Sequence, residues 1–104
     1  MSDITLFHVT FPSKAEAERV AEALLAERLI ACANVHAPCT SIYRWEGRTE
    51  RAEEIPAVFK TRSMLATRLR ARIEELHSYE LPVIESWSAA AGELATAWIS
   101  AETA

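Results

Sequence analysis

Leu29–Gly47 reads LIACANVHAPCTSIYRWEG, and the way this stretch folds decides the architecture of the chain. It holds both cysteines and one of the three histidines, a combination that suggests a metal site. It also reads as one long β-strand, from Ile30 to Trp45. Sixteen residues at about 3.3 Å each span roughly 50 Å. A domain of this size is only about 30–35 Å across, with a radius of gyration near 13 Å. The strand must therefore bend, break or project. Pro38 has no backbone N–H for a ladder and is the natural place for a bend or bulge. Beyond it, Ile42, Tyr43 and Trp45 sit at a tip that water does not suit. A projecting hairpin of this kind is expected to find cover on another subunit. The bland alternative is a sharply bent hairpin folded over its own sheet.

The extended reading also tests the metal site. Cys32 and Cys39 are seven residues apart, roughly 23 Å on a strand and on opposite faces. A disulfide needs Cα atoms within about 7 Å, so the two pair only if the chain doubles back at Pro38. Cys32 and His36 lie about 13 Å apart by the same rule, too far for two ligands at roughly 2.0–2.3 Å from one zinc ion. No metal site forms within this strand. Cys32, in Ile-Ala-Cys-Ala, reads as a small buried hydrophobe, and Cys39 beside Pro38 as the more exposed thiol. An oligomer remains able to gather one ligand from each chain, from among His8, His36, His77, Cys39 and the carboxylates.

Outward from this stretch, Ile4–Phe11 is β-branched and aromatic and reads as a strand stopped by Pro12. Ser13-Lys14-Ala15-Glu16 forms a capping box. Ala17, Val20, Ala21, Leu24 and Leu25 give the following helix one apolar stripe as far as about Arg28. Glu46-Gly47 makes the turn into a third strand within Arg48–Lys60. Thr61 or Ser63 caps the next helix, which buries Leu65, Leu69, Ile73 and Leu76. Leu81–Trp87 is a fourth strand with Pro82 near its start. A final helix over roughly Ala90–Glu102 sets Leu94, Trp98 and Ile99 on one side. The order β-α-β-β-α-β is that of an α+β, ferredoxin-like sandwich with an extra C-terminal helix. Right-handed crossovers place both main helices on one face of the sheet, and the second and third strands make a long hairpin.

The chain has 104 residues, half of them hydrophobic, which is enough for one domain over residues 1–104 with a real core. The formal net charge is −4 and there is no basic stripe, so nucleic acid is a poor partner. The arginines of Arg62–Arg72 alternate with apolar residues and read as the solvated face of a helix. No apolar run is long enough to span a membrane, and MSDITLFHVT lacks the features of a signal peptide. A cytoplasmic location with reduced cysteines is expected. Two glycines exclude a glycine-rich phosphate cradle. No G-x-S-x-G or H-E-x-x-H motif is present, so no enzymatic activity is expected.

Two further groups stand out. His77 and Tyr79, in LHSYELP, sit where a helix ends and a loop begins, a common place for binding residues. Equally, His77 can satisfy the last helix carbonyls. Glu50, Glu53 and Glu54 form an acidic group on the third strand, with Glu50 and Glu54 on one face; carboxylates so placed can bind a cation or pair with Arg44 and Arg48 across the hairpin, and the pairing is the expected use.

Taken together, VTFP at Val9–Pro12, ERLIACANV, TSIYRWEG followed by Glu50 and Glu54, FKT, and HSYELP resemble the CutA family of divalent-cation tolerance proteins, from about Ile4 to Trp98. The resemblance implies a tight homotrimer in which long hairpins extend each sheet into its neighbour, and a link to tolerance of copper and other divalent metals. It also implies a trimer like that of the PII signalling proteins, which sense small ligands in clefts between subunits. Carried over by position, an inter-subunit cleft would comprise Asn34, Trp45, Glu54, Lys60, His77 and Tyr79. Cys32 and His77 would be metal ligands, and Ile42, Tyr43 and Trp45 would anchor the trimer. No obligatory cofactor is implied beyond copper or another divalent cation. Two departures matter. The family's His-Pro-Tyr reads His77-Ser78-Tyr79, and Ala52 removes a possible carboxylate. The expected function is a metal-responsive homotrimer binding metal weakly between subunits. The alternative is a PII-like regulator binding a small molecule or partner protein in its clefts, and a small enzyme using His77 or Cys32 is a third reading.

Overall fold

The computed structural model describes residues 3–104. Five strands and three helices follow in the order β1 (Ile4–Phe11), α1 (Lys14–Ala26), β2 (Cys32–Val35), β3 (Cys39–Trp45), β4 (Arg48–Arg62), a 3-10 turn (Ser63–Leu65), α2 (Ala66–Leu76), β5 (Ile84–Ala89) and α3 (Glu93–Glu102). The antiparallel sheet runs β2-β4-β1-β5, with β3 paired to the other half of β4. This is the expected ferredoxin-like sandwich with a terminal helix.

The expected break in the long second strand is a bulge at its proline. Val35 pairs with Ala57 and Cys39 with Glu54, so His36, Ala37 and Pro38 stand against only Ile55 and Pro56. One extra residue on this side bends the strand and resets its register. β2 therefore stays in the parent sheet while β3 leaves it. β1 pairs with β4 only from Ile55 onward, which makes β3 and the first half of β4 a two-stranded arm with free edges on both sides. The arm closes through Glu46 and Gly47, whose φ angles of 50° and 77° suit a type I′ turn. The molecule measures 45 × 26 × 24 Å, and the projecting arm accounts for the long axis.

α1 and α2 cover one face of the sheet. Phe7, Val9, Phe11, Ile55, Ala57 and Phe59 meet Ala17, Val20, Leu24, Leu69 and Ile73 in the core. The other face is closed at one end only, where Ile99 of α3 packs on Ile4 and Ala31. Ser13 Oγ caps α1 by accepting from Glu16 N–H. The reciprocal half of the box is diverted, because the Glu16 carboxylate accepts from Ser78 N–H at the far end of α2 instead. α1 ends in a Schellman motif: Leu29 N–H reaches Leu24 O and Arg28 N–H reaches Leu25 O. Arg28 occupies the left-handed position usually held by glycine, at φ 59°. Its guanidinium reaches Ala101 O and Glu102 O, so this arginine fastens the end of α3 to the sandwich.

Several sequence expectations are corrected. Neither Thr61 nor Ser63 caps α2. Thr61 lies inside β4, and the helix is entered through the 3-10 turn with no side-chain cap. Of the three arginines of α2, Arg68 is exposed as expected, while Arg70 and Arg72 are tethers. Arg70 donates to Ile84 O and Ser86 Oγ and lies over the Phe7 ring. Arg72 clasps Glu27 with two bonds of 2.9 Å, and this hydrogen bonding holds the Glu27 carboxyl below its usual value. β5 begins at Ile84, which leaves Leu81 and Val83 exposed beside Pro82. On α3 only Ile99 is buried, while Leu94 and Trp98 face outward.

Candidate functional site

The residues singled out in the sequence fall into two places. Cys32, Asn34 and Lys60 lie on the sheet face away from α1 and α2. Ala33 and Val35 pack on the core, so alternation along β2 turns Cys32 and Asn34 the other way. Register sets Cys32 opposite Lys60, with Leu6 and Trp87 completing the row. Lys60 and Glu54 are six residues apart on β4, about 20 Å along the strand.

The second place is the root of the arm. Glu54 is the first β4 residue beyond the end of β1. One of its carboxylate oxygens accepts from Tyr79 Oη at 2.7 Å, and only 9% of the residue is exposed. Behind Tyr79 the His77 ring, with 0% side-chain exposure, stacks on Phe11 at 4.6 Å between centroids. His77 Nδ1 accepts from Tyr79 N–H, and Nε2 donates to Thr10 O at 2.8 Å, which sets the tautomer. The imidazole thus bonds to β1 and not to the last helix carbonyls, while the His77 backbone N–H closes α2 on Ile73 O. Glu16 completes the array, 3.6 Å from His77 Nδ1 and holding Ser78 N–H at 3.0 Å. Burial first, and then the hydrogen bond to Glu54, push the Tyr79 phenol well above its ordinary range.

In front of this array a groove of about 580 Å³ opens between the arm and the 77–83 loop. Tyr43, Trp45 and Ser41 line its arm side; Tyr79, Glu80 and Leu81 line its loop side, with Glu54 at the floor. Glu54 and Tyr79 of the expected cleft meet here, with His77 one layer behind, while Trp45 lines the far end of the groove, opposite Arg48 and six residues along the arm from Glu54. Asn34 and Lys60 do not. Glu16 and Glu80 were not expected. Glu16 looked like a cap and nothing more, and no pattern marks a carboxylate whose partner lies 62 residues away.

The acidic group is also rearranged. Tyr43 stands opposite Glu50 and Cys39 opposite Glu54, and no ion pair joins Arg44 or Arg48 to these glutamates among the described residues. Ala52 lies on the same face, between Glu50 and Glu54. Both cysteines are free and half-buried, so Cys32 is less enclosed than expected. Among the described residues no three His, Cys, Asp or Glu side chains converge as a metal cage. Cys32 and His77 lie apart, and a metal at His77 would displace one of its two hydrogen bonds. The arm shows 59% of Ile42 and 50% of Trp45 to solvent. By alternation Tyr43 and Trp45 share one face of β3, and Ile42 takes the other.

Residues 5–102 match the family model for the CutA1 divalent ion tolerance protein. This chain belongs to the CutA family. It is 46% identical over 79 residues, 76% of either chain, to the divalent-cation tolerance protein CutA of Pyrococcus horikoshii. It is 37% identical to that of Thermus thermophilus, over 88% of this chain and 87% of the relative. The crystal structure of CutA from Xylella fastidiosa superposes with a TM-score of 0.95 at 32% identity, covering 99% of this chain and all of the other. The structure of a CutA from Archaeoglobus fulgidus, described as periplasmic, superposes at 0.90 with 35% identity, over 95% and 97% of the two chains. The CutA family is named for cation tolerance and not for a reaction. No helix among the described residues is long and apolar enough to cross a membrane.

Proposed function

We propose that the protein acts as a homotrimer in the response to divalent cations, copper among them, and binds metal weakly where chains meet. The observation that carries this reading is the unsupported arm. Two strands alone are marginal in water, and this pair leaves Ile42, Tyr43 and Trp45 exposed beside free backbone edges. A second chain laid along such an edge continues the sheet and covers the aromatics. The half-open sheet face, with Leu6, Val58 and Trp87, offers further surface for the same contact.

One chain does not assemble a donor set for a divalent ion, so a metal site has to be completed by a neighbour. Cys32 supplies a soft donor on the open face, where copper prefers thiolate. His77 contributes only if it gives up Thr10 O or Tyr79 N–H. Both thiols are free, in keeping with a reducing compartment such as the cytoplasm. No nucleic-acid partner or catalytic role enters the proposal.

Light scattering tests the assembly, with an expected mass of three times 11.6 kDa. Copper calorimetry on wild type, Cys32→Ser and His77→Gln tests the metal. Saturable binding at one to three ions per trimer, weakened in Cys32→Ser, supports the reading. Binding indifferent to both substitutions overturns it. The second reading, a PII-like regulator with a small ligand or partner in its clefts, is favoured by the groove at the arm's root.

A further inference from the structure

We infer that the cavity between α3 and the 3-10 turn is a binding site for a small zwitterion, an α-amino acid with an apolar side chain. This cavity sits at the Ile4 end of β1. The arm springs from the Phe11 end, about 23 Å away along the strand. The way α3 is held creates the space. Ile99 anchors the helix in the core, and Arg28 fastens its last turn through Ala101 O and Glu102 O. Along the side that meets the 3-10 turn, α3 carries only Glu93, Thr96, Ala97 and Ser100, and about 630 Å³ is left unfilled.

Arg62, Asp3 and Glu93 line this space, and no ion pair joins any of them among the described residues. Arg62 carries the argument. It ends β4 opposite Ile4, with its Nε sealed from water and without a hydrogen-bond partner. A guanidinium already stripped of part of its water gives up less on taking an anion. Its outer nitrogens remain free to form the planar fork that a carboxylate matches. A simple anion would also meet the Asp3 and Glu93 carboxylates in the same cavity. A zwitterion suits both signs, with its carboxylate on Arg62 and its ammonium on Asp3 or Glu93. Met64, Ala91 and Ala97 supply apolar wall for its side chain, and the volume suits a small molecule. The turn is held in place beforehand, because Ser63 N–H bonds Asp3 O and the Ser63 and Thr5 hydroxyls bond each other, both at 2.8 Å. Helical periodicity puts the exposed Leu94 and Trp98 on a different side of α3 from Glu93, Ala97 and Ser100. A second chain covering those two residues would therefore approach another side of the helix. The inference rests on one chain and is independent of the metal reading.

Calorimetry on the assembled wild-type protein tests it, with leucine as the probe. Isocaproate, which lacks the ammonium, and isoamylamine, which lacks the carboxylate, are the controls. Saturable binding of one leucine per chain is expected, with each control weaker by roughly tenfold or more. Arg62→Gln removes the charge that holds the carboxylate and should weaken leucine binding roughly tenfold or more. Ala97→Phe, a change on an exposed position of α3, fills the cavity and should abolish binding. It serves alone if Arg62→Gln fails to fold by circular dichroism. No saturable leucine binding overturns the inference, as does binding unchanged in the folded variants. Controls that bind as tightly as leucine overturn it too. The copper titration and the scattering mass can come out either way without altering any of these outcomes.

Discussion

The two halves of β4 belong to one continuous strand, yet they live in different solvents. From Ile55 to Arg62 every second residue is buried against α1 and α2, and both edges are paired, by β1 and β2. From Arg48 to Glu53 no residue is fully buried, and only one edge is paired, by β3. The first half is stabilised by its own chain. The second is held by β3 alone and leaves its other edge open to solvent. A strand can thus be part of the core at one end and open to solvent at the other, with the junction marked by Pro56 opposite the Pro38 bulge.

The sharpest way to break this contrast is to attack each half. Phe59→Ala empties a fully buried site between the sheet and the helices and should cost about 3–5 kcal/mol in denaturant unfolding. At the junction, His77→Ala removes the stack on Phe11 and orphans Thr10 O and Tyr79 N–H, for a cost of about 2–4 kcal/mol. On the arm, Trp45→Ala should leave the secondary structure of each chain intact and reduce the scattering mass toward that of one chain. Because half of Trp45 is already covered within its own chain, the loss is set at about 2–3 kcal/mol per chain. If Trp45→Ala instead unfolded the chain as Phe59→Ala does, the two halves of β4 would not be energetically distinct.

Much of this contrast is legible in the residues. The length of the Ile30–Trp45 run demands a break, Pro38 marks where, and Ile42, Tyr43 and Trp45 say that the far side wants a partner. The helix stripes likewise announce the covered face. The root of the arm is another matter. Local pattern shows Ser13 and Glu16 as a cap, because spacing carries no sign that the Glu16 carboxylate will turn to Ser78. His77 looks like a helix-end histidine, and only tertiary contact sets it on Phe11 and Thr10. Thr61 resembles a cap because its hydroxyl favours one, but β4 continues through it since Phe59 and Thr61 both face the helices. Periodicity reports burial along one element. It is silent on which buried polar groups of different elements will meet.

The finest test of the junction is pH. Tyr79 is held neutral beside the Glu54 carboxylate, its phenol raised by burial and by that hydrogen bond above the ordinary value of 10.0. In the unfolded chain the phenol ionises near 10, while in the folded chain it keeps its proton to higher pH. The stabilisation this provides is therefore complete below about pH 10 and fades as the pH climbs past it, because the unfolded state alone releases the proton. Tyr79→Phe lacks the effect. Urea midpoints of wild type and Tyr79→Phe between pH 8 and 11 should show wild type ahead at the low end and the gap closing toward the high end. A gap that stayed constant across the range would mean that Tyr79 ionises alike in both states. The bond from Tyr79 Oη to Glu54 at the root of the arm would then contribute nothing that depends on the phenol's proton.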